Sequence, residues 1–360
     1  MTEFYEEIDP ADKRRPSNSR HMANKRTRRP VRIVLLSLLG LLSVAVIVAG
    51  AYGFNLANRF NSTTQKIQSA FPEESLRPAV AEAKDGKPAP MNVLLMGSDS
   101  RGASLEASNE GQSSDQRSDT LMVLHVPADR KNIYVMSVMR DTWIEIPGRG
   151  EAKINAALAA GGVPLVVQTM EGLFGVRIDH VASIDFQGFE SLTDAIGGVD
   201  IAVPYTFKSF HIVGKVFNKG NQLMDGKTAL AFVRERYAFP DGDYQRVKNQ
   251  QAFLKAVMSK MLTAGTLSNP ATISEVVTNF SPFISVDKSL DAGAVAALGL
   301  QLKDVRTPNV KMFTLPNLGT GTSLDGQSIV LPDNAEIQKV SEALKSDTME
   351  SYVQSAVPAK

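Results

Sequence analysis

The chain has 360 residues, 43% of them hydrophobic, and a formal net charge of +1. That length can bury a substantial core, in one large domain or one large and one small, and the near-neutral total calls for no polyanionic partner. There is no cysteine, which excludes disulfides, a cysteine nucleophile and a thiolate metal site but leaves the compartment open.

The charge is unevenly spread. Residues 1–32 hold nine Lys/Arg against five Asp/Glu, a basic tail near +4. "IVLLSLLGLLSVAVIVAGAYGFNLA" (33–57) then runs 25 residues without a charge, longer than the roughly 20 that span a bilayer. It also exceeds the roughly 7–15 residues of a cleavable signal's apolar region. The expectation is one uncleaved transmembrane helix. Lys25, Arg26, Arg28, Arg29 and Arg32 stand directly before it, so the positive-inside rule keeps the tail cytoplasmic and places everything after Ala57 outside the cell. Beside a span, such a cluster is a topology signal, and no nucleic-acid partner is expected.

Residues 58–90 are polar and close with "AKDGKPAP", which reads as a stalk and linker. The outer domain is expected over 91–346. "MNVLLMG" suits a buried strand ended by Gly97. About 20 residues of Ser, Gly, Asn and Asp follow, a length of loop that is usually functional or disordered. "TLMVLHV" and "NIYVMSV" read as adjacent strands joined through "PADRKN". "KINAALAAGG" and "VPLVVQTMEGLFG" read as helices with glycine stops, "HVASIDF" as a strand, "QGFESLTDAIGG" as a helix and "VDIAV" as a strand. "GKTALAFVRER" and "DYQRVKNQQAFLKAVMSKML" are helical patterns, the second with Asp243 as its N-cap. Two further helices (271–277 and 289–302), the strand "VKMFTL" and a helix from Asp333 complete the domain, and 347–360 reads as a frayed tail. Alternating strands and helices predict an α/β fold, an α-β-α sandwich whose central mixed sheet is flanked by helices, preceded by the single transmembrane helix.

No G-x-S-x-G occurs, and the four histidines show no metal-ligand spacing. His125 and His180 fall in strand patterns, where packed histidines are expected. "GNQLMDGKT" (220–228) has five residues between its glycines, one more than a phosphate-binding P-loop. Arginine stands out instead. Arg140 follows an apolar run, Arg234 and Arg236 end a helix, and Arg246 has Gln250 one turn later on the same face. A guanidinium binds phosphate oxygens bidentately and keeps its charge. Asp99 and Asp119, acids at strand ends, suit a magnesium ion bridging phosphates. Solvated helix ends and surface ion pairs would explain the same residues, so the pattern alone gives an anion site and no more.

The ordered blocks "NVLLMGSDSR", "RSDTLMVLHV", "SVMRDTWIEI", "KINAALAAGG", "IDHVASIDFQGFESLTDAIGGVDI", "GNQLMDGKTALAFVRERY" and "DGDYQRVKNQQ" resemble the LytR-CpsA-Psr family of bacterial cell-wall ligases. The resemblance covers about half the chain, 91–262. It implies a transferase that takes a glycopolymer from a polyprenyl-pyrophosphate lipid and joins it by a phosphodiester bond to peptidoglycan or a surface protein. By position, it implies Asp99 and Asp119 as magnesium ligands. It places Arg117, Arg140, Arg234, Arg236, Arg246 and Gln250 around the pyrophosphate, with Lys153 facing the site. Asp119 is the candidate general base, although an acid that holds a metal is a poor one. Met139 stands where the family commonly has proline before the "RD" pair. A lipid tail would need an apolar groove between sheet and helices. Two other readings stay open: a hydrolase of the same pyrophosphate, and a non-catalytic lipid- or glycan-binding regulator.

Overall fold

The computed structural model describes residues 29–98, 118–261 and 269–356. The expected cytoplasmic tail before Arg29, the Ser/Gly-rich insert with Asp99 and Arg117, and the last four residues lie outside the described residues. Two units are distinguished, 1–53 and 54–360. In the first, the described residues belong to one helix, α1 (Arg29–Thr63), which takes in the whole charge-free run and continues into the second unit. Its Val46, Ile47 and Val48 are exposed.

The second unit continues with β1 (Gln65–Ile67), β2 (Met91–Ser98), β3 (Ser118–Val126) and β4 (Ile133–Val138). A hairpin of β5 (Trp143–Ile146) and β6 (Gly150–Lys153) leads to α2 (Ala156–Phe174), β7 (His180–Ile184) and α3 (Phe186–Ala195). Four short strands follow, β8 (Val199–Val203), β9 (Phe207–Lys208), β10 (Val216–Phe217) and β11 (Gly220–Met224), then α4 (Gly226–Arg234) and α5 (Asp243–Met261). After α6 (Pro270–Phe280), β12 (Ile284–Asp287), α7 (Ala292–Gln301) and β13 (Val310–Thr314) comes the hairpin β14 (Asn317–Thr322) to β15 (Ser328–Pro332). Two helices, α8 (Asn334–Lys345) and α9 (Met349–Ala356), close the chain.

Seven strands form one sheet in the order β1-β12-β7-β2-β3-β4-β13. It is mixed: β2 pairs antiparallel with β3 and parallel with β7, and β4 pairs antiparallel with β3 and parallel with β13. Strand alternation divides the side chains between two faces. Leu94, Leu121, Val123, Tyr134 and Met136 pack with α2, α8 and α9. Leu95, Met122, Leu124 and Val135 point the other way, toward Leu254 and Met258 of α5. A third cluster joins α3, α4, α5, β8 and β11 around Phe217, Phe232 and Phe253. The architecture is the expected α-β-α sandwich.

Within α2 the helical backbone breaks at Gly161 and Gly162, the latter at φ 65°, and resumes with Pro164. The two expected helices are thus both present, joined end to end within α2 where Gly162 takes a φ that only glycine adopts cheaply. By length and composition α2 could cross a membrane, but Val163, Val166, Val167, Met170 and Phe174 are buried in the core.

Three expectations change. The 58–90 segment is not all linker: β1 pairs with β12 at the sheet edge, and Arg77 forms a buried ion pair with Glu171 of α2 at 2.7 Å. The C-terminal tail is the helix α9, whose Met349 and Tyr352 are buried. The short strands β5, β6, β9, β10, β14 and β15 were not foreseen. The P-loop-like "GNQLMDGKT" is β11, a cap and the start of α4: the Asp225 side chain accepts from Thr228 N, and a Cβ at Gly226 would stand 2.3 Å from the Glu190 carbonyl oxygen. That glycine serves helix packing against α3.

Both strand histidines are packed. His125 Nδ1 lies 2.8 Å from Asn92 Oδ1, and His180 Nδ1 lies 3.2 Å from Asp287 Oδ2. Asp287 is fully buried and also accepts from Val181 N and from Ser289 and Leu290 N. Burial alone would raise its carboxyl pKa, but hydrogen bonds from His180, Ser289 and Val181 outweigh it and lower the value to about 2. Because this lies below the ordinary value, its stabilisation is complete above about pH 4 and fades as pH falls toward about 2. Asp287→Ala is expected to cost roughly 3 kcal/mol at neutral pH, measured by urea unfolding, and the gap from the unmodified chain should narrow below about pH 4.

Candidate active site

An apolar cavity of about 410 Å³ lies between the second face of the sheet and helices α3, α4 and α5. Its walls include Leu95, Met122, Ala182 and Ile184 from the sheet, Phe186, Phe189 and Leu192 from α3, and Phe253, Leu254 and Val257 from α5. At one part of its lining the chemistry changes abruptly, where Asp119, Arg140, Arg234, Arg236, Arg246 and Gln250 come together. Six residues drawn from Asp119 to Gln250 thus share one cavity.

Local backbone features place them. In the β2–β3 ladder Gly97 pairs with Thr120, but Ser98 pairs with Ser118, so Asp119 is an extra, bulged residue. A regular strand would send Asp119 and Thr120 to opposite faces; the bulge lets both line the cavity. Arg140 and Asp141 sit in the turn after β4, closed by Thr142 N on the Met139 carbonyl at 3.0 Å and by Asn155 N on the Arg140 carbonyl at 3.1 Å. Met139, in the place of the family's proline, is buried against Val247 and Val330, which ties this turn to α5 and β15. Arg234 ends α4 and its guanidinium stacks 4.2 Å over the Phe186 ring. A buried chain holds α5 to α4: Gln245 Nε2 donates to Asn249 Oδ1 at 2.9 Å, and Asn249 Nδ2 donates to the Phe232 carbonyl at 3.1 Å.

The centre of the charge cluster is Asp243. Its carboxylate lies 3.2 Å from Arg246 Nη1, 3.4 Å from Arg140 Nε and 3.7 Å from Arg236 Nη1. The sequence placed it as a helix cap; the structure makes it the first residue of α5, with its side chain given to three arginines. Arg140 also donates to Asp119 Oδ1 at 2.6 Å and lies 3.6 Å from Asp141. Burial raises the Asp243 carboxyl pKa, but Arg246, Arg140, a hydrogen bond with Asp141 and Arg236 together hold it below the ordinary value. Burial likewise lowers the Arg140 pKa, and Asp243, Asp119 and Asp141 reverse the sign to a net rise. For Arg246 burial wins and the value falls.

Lys153 is not in the apolar cavity. Its Nζ lies 3.5 Å from Asp141 Oδ1, and it lines a second cavity of about 540 Å³ with Asp141, Asn155, Asp243, Gln327 and Ser328. That cavity is polar. Arg140 and Arg236 line both, so the arginine cluster is the boundary between an apolar and a polar compartment.

Among the described residues no group of three or more His, Cys, Asp or Glu could hold a metal. Of the two expected magnesium ligands, Asp99 lies outside the described residues. Asp119 lines the cavity and is about a third exposed, and Arg140 engages its Oδ1. One or two carboxylates plus substrate phosphates are a normal donor set for magnesium, and the part of that set described here fits. Sequence reasoning missed the central role of Asp243 and did not place Asp141 in the site. The signal for Asp243 was its place three residues before Arg246, on the same helix face.

A mixed-sheet sandwich with a basic cluster closing an apolar cavity defines the class of fold. Residues 52–346 match the LytR_cpsA_psr family, and the chain belongs to it. The chain is 33% identical over 66% of its length, and 74% of the relative's, to the polyisoprenyl-teichoic acid–peptidoglycan teichoic acid transferase TagU of Bacillus mycoides. It is 32% identical over 71% of its length, and 79% of the relative's, to the TagU of Enterococcus faecalis. The crystal structure of B. subtilis TagV superposes with a TM-score of 0.61 at 26% identity, covering 72% of this chain and 97% of that one.

Removing Asp243 leaves three convergent guanidiniums, Arg246 among them nearly buried, without their shared counter-charge. Asp243→Ala is expected to cost roughly 2–3 kcal/mol in urea unfolding, and Asp119→Ala, at the exposed side, under about 1 kcal/mol. Inorganic pyrophosphate should recover part of the Asp243→Ala loss, since an anion bound only by the folded state stabilises it. Equal costs for the two variants would remove Asp243 from the centre of the cluster.

Proposed function

We propose that the chain is a phosphotransferase that moves a glycopolymer from a polyprenyl-pyrophosphate lipid onto peptidoglycan, or onto a surface protein, through a phosphodiester bond. The observation that carries this reading is the junction itself. An apolar cavity of about 410 Å³ runs up to a cluster of arginines, with a polar cavity beyond. A ligand that suits all three has an apolar tail, an anionic head and a polar substituent. The sign of the charge agrees: Arg140, Arg234, Arg236, Arg246 and Lys153 outnumber Asp119, Asp141, Asp185 and Asp243 along the two cavities, which favours an anionic head group. The relatives named as teichoic acid transferases support the same reaction class.

In this reading the tail lies among Phe186, Phe189 and Leu192, and the arginines grip the diphosphate oxygens bidentately. The acceptor hydroxyl enters from the polar cavity and its oxygen attacks the sugar-proximal phosphorus. The bond from that phosphorus to the bridging oxygen breaks, and polyprenyl phosphate leaves with the electron pair. The fixed guanidiniums stabilise charge on the transferring and leaving oxygens without reorganising. The hydroxyl proton goes to Asp141, which replaces Asp119 as the base of choice. Asp119 is held by Arg140 at 2.6 Å and Asp243 by three arginines, whereas Asp141 lines the acceptor cavity with its cations at 3.5 and 3.6 Å. A magnesium ion held by Asp119, with Asp99, would add charge neutralisation on the diphosphate. The apolar run of α1 anchors the chain in the membrane, N-terminus cytoplasmic, with the second unit outside.

The test is mass spectrometry of products from a lipid-pyrophosphate glycan, magnesium and peptidoglycan fragments. Arg140→Ala should lower turnover on the order of 10²–10³-fold, and Asp141→Asn should lower kcat at little change in KM. Release of glycan phosphate with no product on the acceptor would replace transfer by hydrolysis, and unchanged turnover in Arg140→Ala would sink both. Filling the apolar cavity with Ala182→Phe should raise KM for long-chain donors and leave a short-chain donor unaffected.

A further inference from the structure

The segment Tyr205–Met224 carries three lysines and no Asp or Glu. Its β9–β10 hairpin pairs Lys208 with Val216 and Phe207 with Phe217 and presents an apolar tip to solvent. Phe210 is 66% exposed and Val213 fully so, and Tyr237, whose ring lies 5.9 Å from that of Phe210, is 62% exposed. Large apolar side chains held out in water together mark a surface that something covers.

The tip is held in place. Phe210 N donates to Glu235 Oε2 at 2.8 Å, and Glu235 is fully buried. Ser209 Oγ accepts from His211 N and Ile212 N at 3.0 and 3.1 Å, while His211 Nε2 lies 3.2 Å from the Arg234 carbonyl oxygen. The bond from the Phe210 backbone to Glu235 fixes where the tip stands relative to α4. The same tip borders the apolar cavity, which His211 and Tyr237 line together with Arg234. Gln65, the first residue of β1, pairs with Ser285, next to Ile284, which pairs with Ile184 and lines the cavity. The chain therefore joins the sheet at the end where the cavity is lined.

We propose that this hairpin is a bilayer-docking lip: Phe210, Val213 and Tyr237 enter the interface of an anionic leaflet, with Lys208, Lys215 and Lys219 on its headgroups. Aromatic and aliphatic side chains at the tip, with Lys208 and Lys215 on the strands behind it and Lys219 at the open end of the hairpin, match the layering of the interfacial region in polarity and charge. Three exposed side chains fall far short of the roughly 800 Å² per partner of a stable protein interface. The consequence rests on the tail-binding reading above. Exposing a lipid tail to water disfavours transfer by roughly four-fold per methylene, and a lip seated in the leaflet lets the tail pass into the cavity without that exposure.

The chain has no cysteine, so single cysteines placed in the full-length protein take one environment-sensitive fluorophore each. Val213→Cys, Val48→Cys on α1 and Asp325→Cys on an exposed turn are labelled in nanodiscs holding one chain, with phosphatidylglycerol and acyl-brominated lipid as quencher. The label at 213 should shift to the blue and be quenched, and the label at 325 should not. Lys208→Gln, Lys215→Gln and Lys219→Gln together should lessen quenching at 213 in anionic discs, each lysine being worth roughly five-fold in surface affinity. A label at 213 that reads water while that at 48 is quenched overturns the lip and leaves the anchor. The reverse pattern keeps the lip and overturns the anchor, and water at both removes both. An apolar signal at 213 that appears only as protein concentration rises assigns the tip to a second copy and overturns the proposal.

Discussion

The site depends on one carboxylate. Guanidiniums repel: two unit charges 4 Å apart in a partly buried setting oppose each other by about 4 kcal/mol. Arg140, Arg236 and Arg246 nevertheless converge within 3.7 Å of Asp243, because a negative charge stands between them. Asp243 can do this only because α5 starts at that residue and carries Arg246 three positions on, while Arg140 and Arg236 arrive from separate turns. Everything else in the site is arranged around this focus. Asp119 and Asp141 flank Arg140 on its two sides, and each faces a different cavity.

The arrangement would also let a fixed cluster accept the diphosphate of the proposed reaction. Arginines held only by one another would have to be ordered at the moment of binding, at a cost in entropy and repulsion. Here they are already ordered by acids that take up part of their charge and leave the balance positive. The Asp119 bulge, the turn after β4 and the Gln245–Asn249 chain fix the backbone from which these side chains extend. Electrostatic stabilisation is strongest when the donors are in place before charge develops, and the apolar cavity on one side of the cluster lowers the local dielectric further.

The fold was legible because its signals are local. Short continuous apolar runs gave β2, β3 and β4, helical patterns and glycine stops gave α2 to α5, and the sandwich followed from their alternation. The short strands β9 and β10 were lost because two-residue strands carry no period to detect, and α9 was lost because its pattern of Met349, Tyr352, Val353 and Ala356 spans only two turns at the end of the chain. The candidate site was half legible. Arginine is conspicuous in sequence, and six of the residues chosen there line one cavity. Asp243 was hidden by its position, since an acid at a helix start has an ordinary explanation as a cap. Lys153 was placed near the pyrophosphate from its motif, and it lines the polar cavity because β6 and the Asn155 contact turn it there. The cavity itself could not be read, since Phe186, Leu192 and Leu254 have the same pattern whether they pack against each other or leave a gap.

That gap is the feature with the most consequence. A domain of this size could have closed its second layer, and elsewhere it does: the layer under α2 packs Val166, Val167, Met170 and Phe174 without exposure. On the other face, Gly97 and Ala182 of the sheet and Phe189 and Phe253 of the helices line an apolar cavity. Dispersion and hydrophobic contact are forgone there, at a cost that grows with the volume left unfilled. Empty apolar space survives in a native protein when something other than stability maintains it. A long apolar ligand whose head meets the arginine cluster at the cavity's polar border accounts for the volume, its lining and the charge together. A small soluble diphosphate would need the arginines but would leave the cavity unexplained.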